Sequence, residues 1–137
     1  MWKYYAILSA IFASLTAIFA KIGIKDMNSD LATAIRTFII LLITWGIVIA
    51  GNNFAGIKDL NKTNWIFLIL SGAATGLSWL FYFKALQMGE ASKVAPIDKM
   101  SVVFTIILSF IILKEPFSWK TVIGGAMIAG GGLVLLK

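Results

Sequence analysis

The sequence predicts an all-α integral membrane protein with five transmembrane helices. Of its 137 residues, 60% are hydrophobic and 13% are charged, whereas an ordinary soluble domain is about 45–50% apolar and about 25% charged. The mean hydropathy is +0.94, and long uncharged runs recur along the chain at about the length of a bilayer crossing. These observations exclude a soluble globular domain, and they exclude a disordered chain, which requires low hydrophobicity and high net charge.

Five uncharged runs bounded by Lys or Arg define the helices in order. They cover residues 4–20, 37–57, 63–83, 100–113 and 121–136. A spanning helix needs about 20 mostly apolar residues, so the second and third runs suffice alone. The first and fifth reach that length when their flanking Trp and Lys residues lie at the interface. We predict one domain over residues 1–137, with spans at about 2–24, 31–50, 64–88, 92–114 and 118–136.

The first run could instead be a secretory signal peptide. Its apolar stretch, Tyr4 to Ala20, exceeds the usual length of about 7–15 residues, and no clean Ala-x-Ala cleavage site follows it. A retained first helix is therefore favoured. Ser29 or Asp30 is expected to be the N-cap of the second helix.

The fourth run is too short to cross the membrane by itself. Its residues, 100–113, extend about 21 Å as a helix, so the helix is expected to continue back through Lys99, Asp98 and Pro96. Asp98 then lies inside the membrane boundary, where an ionisable group is a functional candidate by default. We expect it to bind substrate or couple a proton, or else to pair with Lys99, Lys84 or Arg36. Pro96 either kinks this helix or lies harmlessly in its first turn.

Hydroxyl side chains recur at helical spacing on the third and fourth helices. Ser71, Thr75, Ser78 and Tyr82 fall within about 60° of one another, and Asp98, Ser101, Thr105 and Ser109 within about 80°. Such stripes form hydrogen bonds within or between helices, or they line a polar cavity. Two stripes on consecutive helices, one ending in an acid, favour the cavity. The predicted substrate-binding residues are Arg36, Ser78, Trp79, Tyr82, Asp98, Ser101 and Thr105, with Trp79 as an aromatic wall and Asp98 as the coupling residue.

Small residues on the third and fifth helices predict close helix packing. Gly72 and Gly76 form a GxxxG pair, and the fifth helix carries small-xxx-small spacings, which let helix backbones approach in lipid. These contacts could lie within one chain or between subunits. The predicted packing residues are Gly72, Gly76, Gly125, Ala129 and Gly130.

Positive residues are divided almost evenly between the two sides of the membrane. The N-terminal side carries Lys3, Lys58, Lys62, Lys114 and Lys120, and the other side carries Lys21, Lys25, Lys93 and Lys137. Adding Arg36, Lys84 and Lys99 reverses the bias, so the positive-inside rule gives no clear orientation. Either one orientation exists that this rule does not reveal, or copies insert both ways up. With five spans, two copies of opposite orientation form an inverted pair.

Several function classes are excluded by the composition. The chain has no His and no Cys, which excludes the common zinc sites and a Cys nucleophile. No nucleophile–base pair or metal-ligand cluster is present, so we expect neither an enzyme nor a metal or other cofactor. The net charge is +6, but the basic residues are scattered among loops, which argues against a nucleic-acid partner.

The C-terminal half contains a series of short motifs: Tyr82-Phe83-Lys84-Ala85-Leu86, Gly89-Glu90-Ala91-Ser92-Lys93-Val94-Ala95-Pro96-Ile97, Lys114-Glu115, Ile123-Gly124-Gly125 and Gly130. With these motifs it resembles the EamA domain of the drug/metabolite transporter (DMT) superfamily. The N-terminal half fits more loosely, with Arg36 at the family's Arg near the start of helix two. Typical members carry two such domains as inverted repeats around a central cavity.

The resemblance implies a half-size transporter in a prokaryotic cell membrane. We expect it to move small metabolites, either amino-acid-like, zwitterionic or anionic solutes or drugs, by alternating access as an antiparallel homodimer, with proton coupling through Asp98. The alternatives are a non-transporting subunit of a larger complex and a lipid-flippase partner. The related small multidrug resistance proteins use a Glu in helix one, but the first helix here has no acid, so that mechanism does not carry over.

Overall fold

The computed structural model describes residues 1–136, and every secondary-structure element in this range is a helix. No strand occurs within that range. The helices are α1 (Trp2–Gly23), α2 (Ser29–Ala50), α3 (Lys62–Met88), α4 (Ala91–Asp98), α5 (Ser101–Leu108) and α6 (Trp119–Val134). A 3₁₀-helix covers Asn53–Asp59 in the longest loop, and a π-helix covers Ser109–Leu113 at the end of α5. Lys137, the last residue of the predicted domain, lies outside the described residues.

Within residues 1–136, four helical segments are long and apolar enough to cross a membrane. They are α1, α2, α3 and the segment Ala91–Leu113, which joins α4, α5 and the π-helix. The helix α6 has 16 residues and extends about 24 Å, so it is the shortest of the predicted spans. The predicted all-α membrane fold is confirmed, and each helix lies within a few residues of its predicted span.

The second helix begins differently from the prediction. Its N-cap is Asn28, whose side-chain oxygen accepts hydrogen bonds from the backbone N–H groups of Asp30 at 2.8 Å and Leu31 at 3.1 Å. The predicted cap at Ser29 or Asp30 is therefore wrong. All three residue types cap well, and only the backbone conformation selects among neighbours. Asn28 has the extended backbone of a cap, whereas Ser29 is already helical.

The fourth span is interrupted between Asp98 and Ser101. Pro96 lies inside α4 rather than in its first turn, and a proline at that position cannot donate to the carbonyl one turn before it. The chain tightens just after it, since Met100 N donates to Ile97 O at 2.9 Å in the three-residue spacing of a 3₁₀ turn. The span therefore consists of two short helices rather than one continuous rod.

The helices form two units by their internal packing. One comprises Met1–Ile18 and the chain from Met88 onward, and the other comprises Phe19–Gln87. In the first unit, α6 packs closely against the fourth span at Gly125 and Gly132, which are both buried. The prediction of a single domain stays a prediction.

The core of the second unit lies where the α1–α2 connection meets the C-terminal end of α3. Ile24, Phe83 and Leu86 have exposures of 2%, 2% and 0%. Two hydrogen bonds of 2.6 Å fasten this end, from Lys21 Nζ to the carbonyl oxygen of Leu86 and from Gln87 Nε2 to the carbonyl oxygen of Met27. The first bond satisfies a carbonyl near the end of α3, where backbone acceptors lack partners within the helix, and the second joins α3 to the loop between α1 and α2.

Candidate functional site

Arg36 of α2 lies against two aromatic rings of α3. Its guanidinium carbon is 4.3 Å from the ring centroid of Trp79 and 4.9 Å from that of Phe83. Trp79 and Phe83 are four residues apart, so they share one face of α3. Both distances are within the roughly 6 Å at which a cation is attracted to an aromatic face. Arg36 is half-buried, and it also interacts electrostatically with Tyr82. We call Arg36, Trp79 and Phe83 the arginine clamp.

The charge of Arg36 has no counter-charge within the described residues. Its Nη1 atom is buried and has no hydrogen-bond partner there. The ion pairs in that range join Lys93 to Glu90 and Lys99 to Asp98. A buried donor without an acceptor costs about 1–3 kcal/mol, and more when the group is charged. The clamp therefore holds a cation whose Nη1 atom lacks an acceptor among the described residues.

A groove lies between α2 and α3, the two helices that carry the clamp. Its volume is about 500 Å³, and it is lined by Asp30, Thr33, Ala34, Thr37, Phe38, Leu41, Gly76 and Leu80. Thr33 and Thr37 flank Arg36 on α2, three residues before it and one after it. The lining is mostly apolar, with polar groups concentrated near the start of α2. Arg36, the one cationic residue of α2, is not in the lining, but two lining residues, Thr33 and Thr37, are its near neighbours on the helix.

Most threonine hydroxyls bond to their own helix. Thr33, Thr37, Thr44, Thr75 and Thr105 each donate to the carbonyl oxygen four residues earlier, at 2.8–3.0 Å. This is the local hydrogen bond that Ser and Thr form in helices, and it was one of the two explanations of the hydroxyl stripes. The donated hydrogens are occupied, but the oxygen lone pairs remain able to accept.

Asp98 pairs with its neighbour in sequence. Lys99 Nζ is 3.2 Å from Asp98 Oδ2, and the Asp98 side chain is one-third exposed. Both residues lie at the interruption between α4 and α5. Ser101 is the first residue of α5, and its carbonyl accepts from Thr105. Lys99 is one of the three partners that the sequence predicts for Asp98.

The predicted site residues thus fall into two groups. Arg36, Trp79 and Tyr82 come together in the second unit, with Ser78 exposed on the same helix. Asp98, Ser101 and Thr105 lie together on the fourth span of the first unit. The substrate-binding and coupling roles of all seven residues remain predictions. Within residues 1–136 no group of three or more carboxylates could hold a metal ion.

Phe83 was missed as a member of the clamp. Its sequence signal is its position four residues after Trp79, on the same helical face; the sequence otherwise places Phe83 only in the Tyr-Phe motif. For the groove residues Thr33 and Thr37, the signal is their four-residue spacing on the helix that carries Arg36. Asp30 is predicted from the sequence only as a cap.

The predicted packing glycines occupy different surroundings. A Cβ on Gly125 would lie 2.6 Å from Ile106 Cδ1, whereas one on Gly72, Gly76 or Gly130 would meet nothing within 4 Å. Gly132 was not predicted, yet a Cβ there would lie 2.7 Å from Met100 Cγ. Any packing role for Gly72, Gly76, Ala129 and Gly130 between subunits remains a prediction.

The fold and these features define an all-α integral membrane protein with a cation lying against two aromatic rings inside one of its spans. The chain belongs to the EamA-like transporter family, which it matches over residues 1–137. It is 46% identical over 134 residues to an uncharacterized transporter in the cobO 3' region of Sinorhizobium sp, a match that covers 98% of this chain and 95% of that relative. No solved structure matches the chain.

The predicted resemblance to the drug/metabolite transporter superfamily is thereby confirmed. The family and the relative both point to a membrane transporter rather than an enzyme. The helices of spanning length agree with that class.

Proposed function

We propose that this protein is a secondary transporter of small metabolites that works by alternating access as an antiparallel homodimer. The observation that carries the proposal is Arg36. It lies seven residues into α2, about 10 Å from the start of that helix, and has no counter-charge in the described part of the chain. A charged group inside a span is costly and usually serves a substrate or ion pathway.

The antiparallel dimer is supported by three features of the chain. The number of predicted spans is odd, the positive residues are balanced, and Gly72 and Gly76 leave open space on α3. Many transporters contain two inverted repeats around a central site, and two oppositely oriented copies would supply them. The relative from Sinorhizobium is itself almost fully covered by this chain, so it too has the length of one repeat. A bacterial cell membrane is the proposed location.

The orientation can be measured without background because the chain has no cysteine. Single variants Lys3→Cys and Lys25→Cys are made, and intact cells are treated with a membrane-impermeant maleimide. These positions lie at opposite ends of α1. An antiparallel dimer requires both to be labelled from outside in comparable amounts. Labelling of only one of the two would show a single orientation and exclude the antiparallel homodimer.

Transport is tested by solute counterflow in proteoliposomes. The wild type is loaded with one unlabelled member of a panel of amino acids and organic acids, and uptake of the same labelled solute is followed. Arg36→Gln is expected to abolish any counterflow that the wild type supports, while Lys62→Gln, which removes an exposed charge, is expected to retain it. Purified protein that stays monomeric and supports no counterflow would favour a non-transporting subunit.

We propose that Asp98 couples proton movement to transport. Its carboxylate is one-third exposed and paired with Lys99, so a proton arriving at Asp98 would release that lysine. Asp98→Asn is expected to abolish accumulation driven by a pH gradient. Counterflow that survives in the same variant would assign Asp98 to coupling rather than to substrate binding. Gradient-driven accumulation that survives in Asp98→Asn would exclude Asp98 as the coupling group.

A further inference from the structure

We infer that the arginine clamp is a binding site for an oxyanion carried on a small organic solute with an apolar body. This inference rests on the proposed function, since it names the substrate class of the proposed site. The ligand would place its carboxylate, phosphoryl or sulfonyl oxygens on the in-plane edge of the Arg36 guanidinium. The rest of the solute would lie in the groove between α2 and α3.

The first argument is the identity of the cation. Arg36 is the single arginine among the 12 basic residues of the chain. A planar guanidinium stacks on aromatic faces and still presents N–H groups at its edge for bidentate contact with an oxyanion, whereas a lysine ammonium is a strongly hydrated point charge. Trp79 and Phe83 lie near the guanidinium, and the one arginine occupies the position where that planar geometry matters.

The second argument is the unfilled hydrogen-bonding capacity. The aromatic contacts attract the positive charge, but ring faces do not supply the lone pairs of a full hydrogen-bond acceptor. Nη1 is buried with no acceptor among the described residues, and oxyanions form the shorter and stronger charge-assisted hydrogen bonds with arginine. A cationic group such as an ammonium has no lone pair for this donor, and a neutral acceptor would leave the positive charge uncompensated. An oxyanion supplies both the acceptor and the counter-charge.

The third argument is the chemistry of the adjacent groove. Phe38, Leu41 and Leu80 supply apolar walls, and about 500 Å³ is within the range of small-molecule sites. Thr33 and Thr37 already donate their hydroxyl hydrogens to α2 carbonyls, so they offer no free donor to an anion. The one charged lining residue, Asp30, is acidic and repels an anion. The oxyanion is thus directed to Arg36, and the apolar part of the solute to the groove.

Arg36 can be examined alone because no other residue carries a guanidinium. Phenylglyoxal, which modifies guanidinium groups, can therefore report on this one side chain when intact protein is weighed by mass spectrometry. The reaction is run in lipid-free detergent with benzoate, methylphosphonate or methanesulfonate, and with benzamide and benzylamine as neutral and cationic analogues of benzoate. At least one of the three anions is expected to slow the modification of Arg36 at least tenfold, and the amide and the amine are not.

Variants show whether the clamp controls the reaction. Trp79→Leu removes one ring and is expected to raise the rate of modification in the absence of anion, whereas Phe81→Leu, at an exposed ring of the same helix, is not. If Arg36 of the free protein does not react with phenylglyoxal, anion binding is measured by thermal unfolding instead. An anion is then expected to raise the melting temperature of the wild type and of Lys62→Gln, but not of Arg36→Gln.

An experiment with added lipid distinguishes two sources of the oxyanion, a lipid headgroup and a soluble solute. Protection by phosphatidylglycerol added to the micelles, without protection by the soluble anions, would assign the site to a lipid headgroup. Protection by soluble anions in lipid-free micelles would assign it to a soluble solute.

The inference is overturned if neither the soluble anions nor the lipid gives an Arg36-dependent effect, or if benzylamine protects as well as benzoate. Its failure is distinct from failure of the proposed function. Counterflow that survives in Arg36→Gln would leave a transporter without this site. Arg36-dependent anion binding without any counterflow would leave a binding site without transport.

Discussion

Lys21 of α1 donates a hydrogen bond of 2.6 Å from Nζ to the backbone carbonyl oxygen of Leu86 near the end of α3. The bond joins residues far apart in sequence at the most buried point of the second unit, since Leu86 has no exposed surface. A positive charge near a helix C-terminus also interacts favourably with the negative end of the helix dipole. This one side chain therefore connects the end of α1 to the end of α3.

Substitution of Lys21 by Met should lower the free energy of unfolding. A hydrogen bond from a charged group contributes about 1.5–3 kcal/mol, and the loss here also leaves the Leu86 carbonyl without this donor. Unfolding in mixed micelles, followed by circular dichroism, measures the change. Lys25→Met, at an exposed loop lysine, is the matched control and should change stability by less than about 0.5 kcal/mol. Equal stabilities of the two variants would contradict the structural role of Lys21.

Two phenylalanines of α3 should respond differently to the same substitution. Phe83 is 2% exposed and contacts Arg36, whereas Phe81, two residues earlier, is 72% exposed. Phe83→Leu should destabilise the protein by about 1–2 kcal/mol through lost packing and the lost ring contact. Phe81→Leu should be nearly neutral. Thermal unfolding of both variants in the same detergent measures the two effects. A larger effect at Phe81 would mean that the face of α3 carrying Phe81 is covered by another subunit.

Gly132 and Gly130 provide a similar comparison on α6. A Cβ at Gly132 would lie 2.7 Å from Met100 Cγ and 2.9 Å from its Sδ. Gly132→Leu should therefore cost about 1–3 kcal/mol through overpacking. Gly132→Ala should cost less, because the flexible Met side chain can move. Melting temperatures would report these losses.

Gly130→Leu is the control for that series, since a Cβ at Gly130 meets nothing within 4 Å in the chain itself. The melting temperature of the monomer should hardly change. Chemical crosslinking in membranes would show whether the variant loses a dimer. Loss of the dimer with an intact monomer would support the predicted packing role of Gly130 between subunits. Destabilisation of the monomer itself would contradict the observed space around this residue.

Thr75→Val should leave stability within about 0.5 kcal/mol of the wild type. The Thr75 hydroxyl donates to the carbonyl oxygen of Ser71 within its own helix, at 2.8 Å, so its removal breaks no contact between helices. Equilibrium unfolding checks this expectation. A loss above about 1 kcal/mol would reveal a hydrogen bond to a second copy of the chain.

Some of the fold could be predicted because hydrophobicity and length act locally. Helices across a bilayer must satisfy their backbone hydrogen bonds within themselves, so runs of about 20 apolar residues lead almost directly to α1, α2 and α3. The same reasoning extended the fourth span back through Asp98. Arg36 and Trp79 could both be predicted as site residues from the sequence.

Other features depend on three-dimensional contacts that no local pattern contains. The choice of Asn28 over Ser29 as the cap of α2 follows from one backbone conformation, although both residues have the required side-chain chemistry. Phe83 joins the clamp because α2 and α3 approach each other there. Gly132 rather than Gly130 packs against Met100 because the rotation of α6 turns one glycine inward and the other outward.

The sequence by itself determined that this chain is a helical membrane protein, where its spans lie, and the family to which it belongs. Composition, span length and motif are properties of the chain that hold whatever the helices contact. The tertiary structure decided which side of each helix is covered, and so placed the one arginine between Trp79 and Phe83 with Nη1 unpaired. In lipid, apolar side chains are stable on every face of a helix, so polarity alone does not reveal the packing face.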